Sequence, residues 1–175
     1  MADVVIARLT ANELDACLDE LVAVLDDAVE SGASVGFVSP LDADAARAYW
    51  RARAEEADAG RRLLLVARDD GRVVGSVQLA FAEQSNARHR GEIQRLVVHR
   101  SAQRRGIGSA LMRRLEAEAR AGGRFLLVLN TRAGDPPEAL YRALGYTLVG
   151  RIPDYAQSPD GSFNTTSIMY RRLGP

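Results

Sequence analysis

Glu92-Ile93-Gln94-Arg95-Leu96-Val97-Val98-His99, followed after three residues by Gln103-Arg104-Arg105-Gly106-Ile107-Gly108-Ser109-Ala110, decides how this chain is read. The first segment is an apolar-rich strand, and the second is a glycine-containing turn that opens a helix. Such a junction leaves several backbone N–H groups unpaired and pointing one way, with the helix dipole behind them. It is an anion cradle. Gly106 and Gly108 lack a Cβ, so a phosphate can come close to the main chain, and Arg104 and Arg105 add mobile positive charge at the rim. The expected ligand is a phosphorylated cofactor.

Several cofactors are held this way, and the residues separate them. An ATP-type P-loop needs a lysine, and the chain has none. A dinucleotide fingerprint beginning at Gly106 would place Leu111 at its third glycine. It would also end the next strand on Asn130, where a ribose-binding acid is required. What remains is Q/R-x-x-G-x-G/A, which Gln103 to Gly108 satisfy. The plain alternative is a helix N-terminus bordered by surface arginines.

The 175 residues, 47% hydrophobic and 26% charged, suit one globular domain spanning 1–175 with a sizeable core. All 23 basic residues are arginine and are balanced by 23 acids, so the overall field favours neither nucleic acid nor an anionic membrane. Met1 leads into an early strand with no basic leader and no long apolar run, which gives a cytoplasmic expectation. The single cysteine, Cys17, falls in a helical pattern with Leu14, Leu18 and Leu21 and reads as packing.

Around the opening segment the expected elements fall in order. A strand at Val4 to Leu9 leads to a helix opened by the capping box Thr10-Ala11-Asn12-Glu13. Ser31 to Pro40 reads as a flexible loop that shapes a substrate pocket, and Asp42 or Asp44 caps a second helix running to Ala59. Asp69-Asp70-Gly71 joins two strands, Leu63 to Ala67 and Val73 to Leu79, as a hairpin. After the glycine turn comes a helix with Ile107, Leu111 and Leu115 on one face. The nearly all-apolar strand Phe125 to Leu129 follows, expected to be buried on both faces, and completes a parallel βαβ unit. Asp135-Pro136-Pro137-Glu138 opens the last helix with an acid cap and a proline at its first position. Two strands, Tyr146 to Ile152 and Thr166 to Arg171, joined through Ser158-Pro159-Asp160-Gly161, close the chain. The fold class is α/β, a mostly antiparallel twisted sheet with one central parallel βαβ unit and helices on both faces.

The turn from Gln103 to Gly108 resembles the coenzyme A pyrophosphate loop of the GNAT superfamily of N-acetyltransferases, and the element order is similar over nearly the whole chain. A second motif, Ala139-Leu140-Tyr141-Arg142-Ala143-Leu144-Gly145-Tyr146, is similar to that family's A-x-x-L-Y-x-x-L-G-F/Y stretch, loosely kept at its start. Gly32 to Phe37 with Leu41-Asp42, and Ile152 to Tyr155 with Ser158 to Gly161, resemble acetyltransferases of the tabtoxin-resistance type, which acetylate the amine of a small β-lactam amino acid. The resemblance implies acetyl-CoA as co-substrate, with no metal. Backbone N–H groups of Leu96, Val97 and Val98 would hold the acetyl carbonyl and pantetheine. Gln103, Arg104, Arg105, Gly106, Ile107, Gly108, Ser109 and Ala110 would hold the pyrophosphate. Phe37, Asn130 and Tyr155 would meet the acceptor, and a homodimer is common in the family. Two positions depart from the pattern. Gly134 stands where many members place a pantetheine-binding Asn, leaving that contact to the main chain or to nothing. Asn130 stands where the tabtoxin-resistance type has an acid, so no second carboxylate carries over.

The acceptor chemistry requires a base. An alkylamine with a pKa of about 10.4 is protonated at neutral pH and cannot attack a thioester until it loses a proton. Glu92, the acid closest to the thioester-binding strand, is the candidate, acting directly or through water once partial burial raises its pKa; the alternative is a strand-end carboxylate paired to an arginine. Tyr141 would protonate the departing thiolate, its alternative being a core tyrosine, and Asn130 offers both a donor and an acceptor. His89 and His99 have no third group spaced for a triad or a metal. The expected reaction is acetyl transfer to a small-molecule primary amine. A protein or peptide amine, and a non-catalytic acetyl-CoA sensor, are the alternatives.

Overall fold

A computed structural model describes residues 4–158 and 160–174. Its centre is a seven-stranded sheet in the order β1-β2-β3-β4-β5-β7-β6. The strands are β1 (Val5–Arg8), β2 (Arg62–Asp69), β3 (Arg72–Phe81), β4 (Arg90–Val98), β5 (Leu126–Arg132), β6 (Thr147–Gln157) and β7 (Phe163–Arg172). Every neighbouring pair is antiparallel except β4 and β5. The helices are α1 (Ala11–Glu30), α2 (Ala43–Asp58), α3 (Ile107–Ala121) and α4 (Pro136–Ala143). None of the described helices is long and apolar enough to cross a membrane. The α/β class and the parallel βαβ unit, β4-α3-β5, are as the sequence predicts.

Period-two alternation divides the core between the two faces of the sheet. From β2, Leu63, Leu65 and Ala67 join Ile107, Leu111 and Leu115 of α3, while Leu64 and Val66 join Leu18, Leu21 and Leu25 of α1 and Trp50 of α2. Cys17 is buried in the second cluster, and burial raises its thiol pKa. At the start of α1, Glu13 accepts from the Thr10 backbone N–H at 3.2 Å and from its hydroxyl at 2.8 Å, a cap worth about 1 kcal/mol. Asp42 caps α2 through the N–H groups of Asp44 and Ala45. Asp70 and Gly71 both take positive φ, the geometry a two-residue hairpin needs.

Three expectations are corrected. The strand from Phe125 is not buried on both faces: Leu127 and Leu129 are covered, whereas Leu126 and Val128 are half-buried, because no helix lies over that part of the α1/α2 face, and Phe125, before the strand begins, is exposed. Asp135 makes no side-chain cap to α4; Glu138 reaches back to the Gly134 N–H at 2.7 Å instead. The segment after α1 is more than a flexible connection, since Val35 is buried, and Ala33, Phe37 and Leu41 pack against the same cluster. Of the expected turn at Ser158 to Gly161, Pro159 lies outside the described residues.

Candidate active site

The parallel ladder between β4 and β5 is short. Among the described residues it runs only from Arg90↔Leu126 to Glu92↔Val128. Beyond it β5 stays with β7 through Arg132↔Thr166, while β4 stays with β3 through Gly75↔Val98. The two central strands therefore part, and their facing main-chain edges are left open to a ligand. A bulge drives the divergence. Between Ser76↔Val97 and Gln78↔Gln94, β4 contains one residue more than β3, and Arg95 takes φ 49°. The extra residue reverses the phase of the strand, so Ile93 faces α3 before it, and Leu96 and Val98 face α3 after it.

The glycine turn stands beside the end of β4. Gly106 is the N-cap of α3 at φ 79°, and the first intrahelical bond is from Ala110 N–H to Gly106 C=O. The N–H groups of Ile107, Gly108 and Ser109 thus have no helical acceptor. No acid occupies the first turn and no side chain caps it. A Cβ at Gly106 would point into open space, and Arg104 also adopts a positive φ, 59°. An open, acid-free helix terminus with successive outward N–H groups fits a pyrophosphate. Gly108 also serves packing, since a Cβ there would come within 3.4 Å of Leu140 on α4.

The flanking side chains are more committed than the sequence suggests. Arg105 is no mobile charge: it forms two hydrogen bonds to Asp69 on the β2–β3 hairpin, at 2.6 and 3.2 Å. The Gln103 side chain donates to the Val98 carbonyl at 2.9 Å, fastening the loop to β4, while Arg104 is exposed. The Gly134 N–H belongs to Glu138, so this main-chain group does not replace the missing asparagine. Gly106→Asp is expected to lower coenzyme A affinity at least about tenfold below Gly106→Ala in calorimetry. Both variants carry the left-handed strain, but only the first adds a negative charge beside a phosphate.

Glu92, Val128 and Asn130 share one face, because paired strand positions point the same way and residues two apart repeat. Glu92 is exposed, contrary to the expected partial burial, since neither α1 nor α2 extends over it. With Glu83, Arg90 and Val128 it lines a cleft of about 360 Å³, and it makes no ion pair among the described residues. Asn130 is exposed and stands where the strands part. Tyr141, on the opposite face, is 6% exposed and packs edge-on against Tyr146 at 5.7 Å. Burial raises its pKa and keeps the hydroxyl protonated.

A second cavity, about 190 Å³, lies between the α1–α2 connection and the ends of β5 and β6, lined by Gly36, Phe37, Arg132, Ala156 and Gln157 among others. Phe37 is one of its lining residues. Tyr155 is not among them: it is half exposed, and its neighbours Ala156 and Gln157 face the cavity, because β6 shifts register between Ile152 and Ala156. His89 stacks on Phe125 and His99 bonds to Ser101. Among the described residues no group of three or more His, Cys, Asp or Glu side chains is arranged to hold a metal.

Sequence reasoning missed a polar layer beneath the acceptor face. Arg62 donates to Gln78 at 3.0 Å and to Gln94 at 2.9 Å, and Tyr49 hydrogen-bonds to Gln78. Arg95 donates to the Val35 carbonyl at 2.8 Å and lies over the rings of Tyr49, at 4.4 Å, and Phe37, at 5.7 Å. The signal was present: Gln78 interrupts an apolar strand, and the three-residue step from Ile93 to Leu96 breaks strand alternation.

Comparison with known proteins agrees with this geometry. An uncharacterised N-acetyltransferase of Azospirillum brasilense is 31% identical over 157 residues, covering 87% of this chain and 91% of that protein. An L-methionine sulfoximine/L-methionine sulfone acetyltransferase of Pseudomonas paraeruginosa is 28% identical over 164 residues, covering 90% of each. The solved ribosomal-protein-alanine N-acetyltransferase of Brucella melitensis superposes with a TM-score of 0.78 at 27% identity, covering 97% of this chain and 99% of that one. A profile of the Acetyltransferase (GNAT) family matches residues 22–146, and with the divided strands and the glycine turn lying inside that span, the chain belongs to this family of acetyl-CoA-dependent acyltransferases.

Proposed function

We propose that the chain transfers the acetyl group of acetyl-CoA to the primary amine of a small molecule, by direct attack within a ternary complex. The observation that carries this reading is the parting of β4 and β5, with the glycine turn at its mouth and Glu92 and Asn130 on one face beside it. Leu96 to Val98 offer main-chain groups along the opened edge, where they orient a pantetheine arm and polarise a carbonyl. Ile107, Gly108 and Ser109 present N–H groups to the pyrophosphate.

The acceptor approaches from the Glu92 face. Its ammonium first gives a proton to Glu92, directly or through water; the free amine then forms the N–C bond, and as the C–S bond breaks the nitrogen's second proton passes to the departing thiolate or to water. Tyr141 stays protonated and is available to the leaving sulfur. Its help is modest, because a thiol of pKa about 8.5 leaves readily as thiolate at neutral pH. Asn130 supplies a donor and an acceptor to the bound groups.

Two observations favour a small acceptor. The α1–α2 connection and the end of β6 line a cavity of about 190 Å³, smaller than the pockets that hold drug-sized ligands. The Pseudomonas relative is named for two methionine derivatives that each carry one primary amine. The Brucella neighbour, named for a protein alanine, supports the second reading, a peptide N-terminus. Thiol release from acetyl-CoA against amino acids, dipeptides, polyamines, amine antibiotics and an alanine-starting peptide decides between them. Turnover is expected on a small amine; turnover on the peptide alone overturns the proposal, and coenzyme binding without turnover anywhere points to a sensor.

A further inference from the structure

The cavity at the α1–α2 connection is electrostatically one-sided. Among the described residues lining it, Arg132 is the one charged side chain. Its Nε is shut off from solvent and has no hydrogen-bond partner. Asp135 forms an ion pair with it at 3.7 Å, beyond hydrogen-bond reach, and Asp160, which also feels its charge, gives Oδ1 to Ser162 N–H and Oγ, at 2.9 and 2.6 Å. Across the parted strands Arg95 repeats the pattern from β4. Its Nε is satisfied by the Val35 carbonyl, its faces are covered by Phe37 and Tyr49, and it pairs with no acid among the described residues. Its Nη2 reaches the cavity wall at Gly36, where a Cβ would stand 2.9 Å from it. Gly36 also takes φ +79°, a left-handed turn that favours glycine.

Half-covered guanidinium groups that keep N–H edges without a hydrogen-bonded anion are costly unless one completes them. We propose that Arg95 and Arg132 recognise a carboxylate on the acceptor, so that the substrates are amines bearing an acidic group rather than polyamines or cationic antibiotics. The inference rests on the acetyl-transfer reading and adds its selectivity. Asn130 precedes Arg132 by two residues on the same face of β5, which sets the carboxylate roughly 7 Å along the strand from Asn130. The acidic cleft at Glu83 and Glu92 lies the other way along the strand, where the acceptor's ammonium is drawn. A substrate of opposite polarity at its two ends is thereby fixed in direction.

The test compares kcat/KM for amino acids with that for their carboxamides, which differ in one charge. The native protein is expected to prefer the acids about tenfold or more, the scale of a hydrogen-bonded charge pair. Arg132→Gln and Arg95→Gln should each bring the ratio toward one, and Arg95→Lys should recover part of it. Coenzyme A affinity, measured on the same samples, shows whether a variant has kept its fold. A second arm needs no turnover: N-acetyl amino acids and their amides are titrated into coenzyme-loaded protein by calorimetry. Preferred binding of the acids, lost in Arg132→Gln, supports the site even where no amine in the panel is acetylated, a result that would sink the acetyl-transfer reading by itself. Equal kinetics and equal binding of acid and amide overturn the proposal, as does a ratio that both glutamine variants leave untouched.

Discussion

Glu92→Gln is expected to lower kcat/KM for the acceptor amine about a hundredfold near pH 7, at unchanged coenzyme A affinity; this is the low end of the range for a positioned general base. The low end is appropriate because Glu92 is exposed, so water shares the proton transfer. The substitution keeps size and hydrogen bonding while removing the charge. Glu92 touches neither core cluster nor the helix terminus that takes the phosphates, so fold and coenzyme binding should survive. The variant should also recover with alkali. As pH rises toward about 10.4 the free amine no longer needs the enzyme's base, and the deficit against the native protein should narrow steadily. Thiol release followed from about pH 6 to 10 reads both effects. A variant within threefold of native at neutral pH would leave Glu92 as an ordinary strand-end acid. An unrelated loss of coenzyme binding would show that it shapes the strand instead.

The parts of the site that the sequence reveals are those made by main chain. Gly106, Gly108 and the strand before them carry their geometry in residue type, since a left-handed turn and an open helix terminus admit few alternatives. The hairpin at Asp70-Gly71 and the cap at Thr10 are legible for the same reason. Side-chain burial is not local in this way. Whether Glu92 is covered depends on how far α1 and α2 extend over β4, which no spacing in the Glu92 strand encodes. Arg105 reads as a free cation until the β2–β3 hairpin brings Asp69, 36 residues earlier, beside it. Tyr155 reads as an acceptor contact until a register shift in β6 turns its neighbours inward. Arg95 is the instructive case. Its charge suggests a solvated residue, whereas the bulge it occupies turns it against two aromatic rings from elements some 46 and 58 residues upstream.

Glu138→Ala is expected to destabilise the fold by about 2–3 kcal/mol and to lower the melting temperature by about 5–10 °C for a chain of this size. The carboxylate is only 4% exposed, and it ties four segments together. It accepts from Gly134 N–H at 2.7 Å, Arg142 at 2.7 Å, Arg151 at 3.2 Å and the Ser167 hydroxyl at 3.1 Å. These partners come from the β5–α4 turn, α4, β6 and β7. Removing the acid leaves Arg142 and Arg151, each about half exposed, and the N–H of the exposed Gly134 free to turn to water, but strands the hydroxyl of the fully buried Ser167. That partial relief is why the loss falls short of the larger cost of a deeply buried charge. The same bonds hold the Glu138 carboxyl down to about 2, the backbone bond from Gly134 being the largest influence. Because the folded value lies below the unfolded one, the stabilisation is complete above about pH 4.5 and disappears as pH falls toward 2. The difference in stability between native protein and variant, measured by denaturant titration at stepped pH, should therefore shrink across that interval. A difference independent of pH would mean that Glu138 acts through packing alone. Since α4 also carries Tyr141 one turn further on, the variant's remaining activity should fall at temperatures where the chain is still folded, as the tyrosine loses the anchor that fixes its helix against β6 and β7.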